Sequence, residues 1–182
     1  ASLCLVCFTA IIYMINADTV PSLFPLILPV GAITGFLMYN LGVLGNQRTV
    51  FLGDNGSNAL GFMCAWILVY FSSVENSNFA PVTALWFVAI PFFDAVGVMT
   101  SRAIKGIMPL RPGRDHLHHK LLDMRFSSNA IYVILISISA LFAAIGYILN
   151  NSFPESHYIS FYAFMILWLC YSFLTRYISK NV

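Results

Sequence analysis

Charge is what this sequence has least of. Its 182 residues carry nine Lys and Arg and seven Asp and Glu, so only 9% are charged while 59% are hydrophobic. A soluble domain carries about 25% charged residues, and so few charges cannot build the polar shell that a globular core of this length needs. The chain therefore reads as membrane-resident. Cysteine is scarce as well: Cys4, Cys7, Cys64 and Cys170 all lie in apolar runs, with neither zinc-site nor secreted-scaffold spacing. The Cys4-x-x-Cys7 pair lacks the βαβ context of a redox motif and reads as two small residues on one helix face. There is no H-E-x-x-H, no internal repeat and no recognisable signal peptide. No methionine opens the chain, and Ala1 stands inside an apolar stretch. That first run, 1–15, is shorter than the roughly 20 residues a spanning helix needs. The expectation is a single membrane domain, 1–182, belonging to a longer protein whose upstream part is missing.

Six apolar segments are present, at 1–15, 20–44, 59–74, 79–101, 127–149 and 158–177. Within lipid the backbone must satisfy its own hydrogen bonds, so runs of this length become helices. The expected fold is all-α, a polytopic transmembrane helix bundle of about six helices. Pro21, Pro25 and Pro29 crowd the start of the second segment. Because proline is tolerated only in the first helical turn, a bend is expected near Pro29.

The connections alternate in charge. Links 16–19, 75–78 and 150–157 contain Asp18, Glu75 and Glu155 and no Lys or Arg. Loops 45–58 and 102–126 and the C-terminal end carry all nine basic residues: Arg48, Arg102, Lys105, Arg111, Arg114, Lys120, Arg125, Arg176 and Lys180. The positive-inside rule assigns that side to the cytoplasm, so chemistry on soluble anionic substrates belongs there. His157, beside Glu155 on the opposite side, reads as a loop histidine. The aromatic residues read as packing and interfacial groups. No nucleic-acid partner is expected.

Three constellations carry chemistry. The stretch Phe51-Leu52-Gly53-Asp54-Asn55-Gly56-Ser57-Asn58 precedes an apolar helix. Its glycines permit tight turns, Ser57 or Asn55 can cap the helix, and the helix start favours an anion. Asp54 is an oxygen ligand suited to Mg²⁺, which is commonly held by one or two carboxylates and substrate oxygens. The ordinary alternative is a capped turn with a solvated aspartate. Asp94 follows Pro91-Phe92-Phe93 and stands eight residues before Arg102, about 12 Å along a helix. An intramembrane carboxylate is by default a functional hypothesis; the alternative is an acid that merely reaches water at the helix mouth. The loop Arg111-Pro112-Gly113-Arg114-Asp115-His116-Leu117-His118-His119-Lys120 sets three histidines among arginines. Guanidinium groups match phosphate oxygens bidentately. Topology or anionic lipid accounts for the arginines, but neither requires the histidine cluster.

Together these stretches resemble the polyprenyl-phosphate N-acetylhexosamine-1-phosphate transferases, glycosyltransferase family 4. Phe51, Gly53, Asp54, Gly56, Ser57, Leu60 and Gly61 match the family's F-x-G-D-x-G-S-x-x-L-G motif. Pro91-Phe92-Phe93-Asp94 resembles a motif on a later helix, and His116, His118 and His119 match an H-x-H-H loop. The run Arg102, Lys105, Arg114 and the Lys120 that follows the histidine pair resemble the N-acetylglucosamine-1-phosphate branch more than the peptidoglycan translocases, the phospho-N-acetylmuramoyl-pentapeptide transferases. The resemblance covers the second half of a family member. The family's upstream aspartate pair would precede Ala1, so this stretch alone is expected to be inactive.

The resemblance implies transfer of N-acetylglucosamine-1-phosphate from UDP-N-acetylglucosamine to undecaprenyl phosphate, releasing UMP, as the first lipid-linked step of O-antigen or common-antigen synthesis. Asp54 and Asp94 are the implied catalytic residues, with Asp54 on Mg²⁺ (or Mn²⁺ in its place). Arg102, Arg114, His116, His118 and His119 are the implied clamp on the UDP-sugar donor. Asp94 is expected to orient a partner or contact the donor, not to act as a base. The partners implied are the donor, the polyprenyl phosphate acceptor and membrane lipid, with a homodimer left open. The place implied is the bacterial inner membrane, multi-pass, with the active face and C-terminus cytoplasmic. A transporter would put polar groups near the midplane, often on internal repeats. A non-catalytic membrane module would tolerate loss of the histidines.

Overall fold

The computed structural model describes residues 24–40, 50–73, 79–111, 113, 115–153 and 157–181. Segment 1–15, Cys4, Cys7, Arg48 and Arg114 lie outside them. The described residues are all-α: seven helices, where the apolar pattern suggested about six for the whole chain. They are α1 (Phe24–Asn40), α2 (Gly53–Ser73), α3 (Pro81–Phe87), α4 (Ala89–Ile104), α5 (Leu117–Asp123), α6 (Ser128–Ser152) and α7 (His157–Asn181). α6 and the His157–Tyr177 part of α7 are long and apolar enough to cross a membrane, and α3 with α4 makes a third if the bent pair is one span. α1 is a shorter apolar helix that continues through Pro29.

The 79–101 segment, expected as one helix, is two, bent by 82°. Pro91 is the cause. It has no N–H for the carbonyl of Phe87, and its ring crowds that carbonyl. The chain leaves helical geometry at Val88 (φ −111°, ψ 20°), and Phe92 N–H restarts the ladder on Val88 O at 3.0 Å. Pro91 then falls in the first turn of α4, where proline is tolerated. α2 starts at Gly53 (φ 70°), ahead of its apolar run. Its polar first turn is exposed, which hydrophobic periodicity does not register.

The core is aromatic. Phe93 packs between Phe164 (centroids 4.8 Å), Tyr171 (5.6 Å) and Phe142 (5.7 Å), joining α4 to α6 and α7. Trp86 meets Phe164 at 5.5 Å, and its Nε1–H donates to Ser160 Oγ at 2.9 Å, since a buried indole needs an acceptor. Gly146 on α6 lets this ring approach, because any Cβ there would overlap Trp86. At the same end, Asn150 Oδ1 accepts from Thr83 Oγ1 (2.8 Å) and Ala80 N–H (3.3 Å). Leu26 and Ile33 of α1 and Ile67, Leu68 and Phe71 of α2 complete the cluster. Thr83 and Asn150, then Trp86 and Gly146, then Phe93 and Phe142 mark α3 and α4 descending along α6. The C-terminal end of α4 therefore meets the N-terminal end of α6 and the C-terminal part of α7. There α5 is laid across, and there the polar residues gather.

Candidate active site

Asp94 is the knot. Nearly three turns before the end of α4, its Oδ1 accepts the Leu117 N–H at 2.8 Å and the Tyr171 hydroxyl at 3.2 Å, and its Oδ2 lies 2.9 Å from His116 Nδ1. One carboxylate thus joins α4, α5 and α7. Leu117 is the first residue of α5, and His116 at the N-cap supplies no capping side chain. Asp94 takes that orphan N–H from another helix, where helix polarity favours an anion. The same contact orients the His116 ring: with Nδ1–H directed at the carboxylate, Nε2 faces away. His118 stacks on His116 (centroids 5.9 Å, planes 10° apart) and meets His119 at 4.2 Å. Partial burial, reinforced by His119 and His116 and opposed by Asp94, lowers the His118 pKa below the usual imidazole value, so it is neutral at neutral pH.

The approach to the histidines is held by Arg102. Buried in the last turn of α4, it places Nε and Nη2 2.9 and 2.6 Å from Asp115 Oδ2. Its Nη1 donates to the carbonyls of Pro109 (3.2 Å) and Arg111. Its donors therefore stitch the loop to the helix end. The Arg102 guanidinium holds the Asp115 carboxyl below its ordinary pKa, against a smaller opposing effect of burial. Two glycines make the loop passable. Gly106 (φ 67°) ends α4 as Ile107 N–H bonds Arg102 O (2.9 Å) and Gly106 N–H bonds Ala103 O (3.1 Å), a left-handed helix stop that glycine adopts without strain. At Gly113 a Cβ would collide with Arg102 Nη2.

Beside this knot, a groove of about 530 Å³ opens between α4, α5 and α7. Its charged lining is Asp94, Arg102, Lys105, Asp115, Lys120 and Arg176; Val98, Ile104 and Ile107 form its apolar part. Burial lowers the Lys120 pKa, with Asp94 and Asp115 opposing that shift, and Lys120 Nζ donates to Thr175 O at 3.3 Å.

A family model described as glycosyl transferase family 4 matches residues 1–72. The undecaprenyl-phosphate alpha-N-acetylglucosaminyl 1-phosphate transferase of Escherichia coli K12 is 37% identical over 152 residues, which is 84% of this chain and 40% of that protein. Proteins of the same name from Pasteurella multocida and Yersinia pestis are 37% and 34% identical, over 80% and 81% of this chain and 41% and 40% of theirs. The chain belongs to glycosyl transferase family 4. It spans about 40% of the length of these curated relatives. No solved structure matches it.

Within this family 4 chain, the structure brings Asp94 and His116 into contact, with His118 and His119 alongside and Arg102 holding the loop that precedes them. Asp54 is exposed in the first turn of α2. Among the described residues no hydrogen bond or ion pair joins Asp54 to the histidines, and no group of three or more His, Cys, Asp or Glu is arranged to hold a metal. A free carboxylate at a helix start suits a Mg²⁺ held by one carboxylate and substrate oxygens, not an ion caged by protein ligands alone. Tyr171 and Asp115 were not expected as site residues from the sequence, and Lys120 entered there only through the branch resemblance. Asp115 was detectable as the one acid among the arginines and histidines of the 111–120 stretch. Tyr171 looked like any other aromatic residue of an apolar segment.

Proposed function

We propose that this chain is part of a bacterial inner-membrane enzyme that transfers N-acetylglucosamine-1-phosphate from UDP-N-acetylglucosamine to undecaprenyl phosphate, with release of UMP. The observation that carries this reading is the Asp94–His116 contact. It fixes a three-histidine loop to the ends of membrane helices, in a chain whose relatives are named for this reaction. Both reactants are anionic, so the enzyme's main task is to neutralise and align phosphates.

In this reading the basic end of the bundle and the C-terminus face the cytoplasm, where the donor is found, and the chain crosses the membrane several times. His116 directs Nε2 toward the donor, with Asp94 and Tyr171 holding the ring and Asp94 serving as a positioning residue. His118 and His119 extend that surface, and Arg114 completes the clamp. Arg102 keeps the loop in place through Asp115. Asp54 holds Mg²⁺, or Mn²⁺, against the donor; the ion when bound supplies charge neutralisation at the phosphate oxygens. The lipid phosphate attacks the phosphorus attached to the sugar, and UMP leaves with the bonding electron pair.

UMP release from UDP-N-acetylglucosamine, measured in membranes carrying the whole protein, tests this reading. Asp54→Asn should lower it by about 10²-fold or more if Asp54 neutralises developing charge through the ion. Normal turnover in that variant would remove the role assigned to Asp54.

A further inference from the structure

The groove between α4, α5 and α7 holds more positive charge than the loop architecture uses. Arg102 is matched by Asp115 at 2.6 Å. Asp94 is engaged by His116, the Leu117 N–H and Tyr171. Lys105, Lys120 and Arg176 remain, and among the described residues none of them forms an ion pair. Lys105 and Arg176 stand toward the C-terminal ends of α4 and α7, where helix polarity favours a cation. Lys120 stands in the last turn of α5, where the same polarity applies, but it is partly buried and has a single carbonyl, Thr175 O, at 3.3 Å. A desolvated ammonium without a carboxylate is costly, and a positive charge present only for topology would be left in water. Four cations, Arg102, Lys105, Lys120 and Arg176, face two carboxylates, Asp94 and Asp115, around this one cavity, and the surplus of positive charge suits an anion. The apolar wall of Val98, Ile104 and Ile107 in the same groove gives it a second, hydrocarbon-compatible side.

We propose that Lys105, Lys120 and Arg176 form a cradle for the phosphate headgroup of an anionic lipid, with the adjoining part of its chain against Val98, Ile104 and Ile107. The lipid's identity as the transfer acceptor rests on the transferase reading; the phosphate cradle does not. Binding is electrostatic and hydrogen-bonded, with Lys120 fixed in direction by Thr175 O and Arg176 closing the groove from α7.

The test uses the whole protein purified from its membrane in detergent, with farnesyl phosphate as probe and farnesol and inorganic phosphate as separate arms. Lys120→Met and Arg176→Gln should each raise the Kd for farnesyl phosphate about tenfold, the loss expected for one charge-assisted hydrogen bond. Farnesol should bind at least tenfold more weakly than farnesyl phosphate. Should Lys120→Met fail to fold, Arg176→Gln carries the test, since Arg176 is exposed. Inorganic phosphate binding as tightly as farnesyl phosphate, and weakened by the same variants, would overturn the lipid assignment and keep the cradle. Kd values within twofold of wild type in the folded variants, or farnesol binding as tightly as its phosphate, would overturn the cradle itself. UMP release measured on the same samples separates the two ideas. Turnover in the wild type with unchanged Kd in the variants sinks the cradle alone, and loss of binding in the variants without wild-type turnover sinks the transferase reading alone.

Discussion

His116 Nδ1 and Asp94 Oδ2 lie 2.9 Å apart across 22 residues of sequence. Asp94 accepts from His116, Leu117 and Tyr171 at once, so Asp94→Asn, which keeps the shape but removes the charge and one acceptor, should lower kcat/KM by about 10- to 100-fold, as loss of an orienting carboxylate does. Tyr171→Phe removes one of the three bonds, at 3.2 Å, and should cost about threefold to tenfold. Steady-state UMP release checks both, and equal losses in the two variants would argue against Asp94 as the organising group.

Gly113 lies against the Arg102 guanidinium with no room for a Cβ. Gly113→Ala should push the loop off its arginine and raise the KM for UDP-N-acetylglucosamine several-fold with a smaller change in kcat. Membrane insertion and the melting temperature should be little altered, because the loop is exposed. An unchanged KM would mean that loop closure over Arg102 does not shape the donor site.

Asp115 has its pKa lowered by Arg102. A carboxyl whose folded pKa is depressed contributes stability above its unfolded value and loses it as pH falls through the folded one. The loop should therefore remain closed from neutral pH down to about 4, the ordinary aspartate value, and loosen only below it. Asp115→Asn should be loose at every pH. The rate of pepsin cleavage in the 105–116 loop, followed between pH 2 and 5, reads this directly. A transition centred above pH 5 would point to a different group.

Arg125 takes φ 65° just after α5, with Phe126 N–H on Leu121 O (3.2 Å) and Arg125 N–H on Leu122 O (2.8 Å). This is the same helix stop that Gly106 makes, here made by a residue with a Cβ, at a cost of roughly 1 kcal/mol. Arg125→Gly should raise the melting temperature of the purified protein by about 1–3 °C. A lower melting temperature would show that the Arg125 side chain contributes more than its backbone strain removes.

Much of this was legible in the residues. Low charge and long apolar runs announced a helical membrane chain, and Asp94 and the histidines stood out because lipid and topology explain neither. Other features depended on the third dimension. Pro91 is visible in the sequence, but the 82° between α3 and α4 that follows from its break at Val88 is not. Arg102 read as a free phosphate clamp, whereas most of its donors face Asp115, Pro109 and Arg111. Such a pairing across 13 residues has no periodic signature. Tyr171 is distinguished only by a hydroxyl that meets Asp94 from 77 residues away.

Which bond of the donor is broken distinguishes sugar-phosphate transfer from sugar transfer. Membranes carrying the whole protein would be given UDP-N-acetylglucosamine labelled at the β-phosphorus, together with undecaprenyl phosphate. The label should enter the lipid fraction, with unlabelled UMP left in water, and His116→Ala should reduce the transfer by at least tenfold. Label remaining in water as UDP, or no label in lipid at all, would contradict sugar-phosphate transfer.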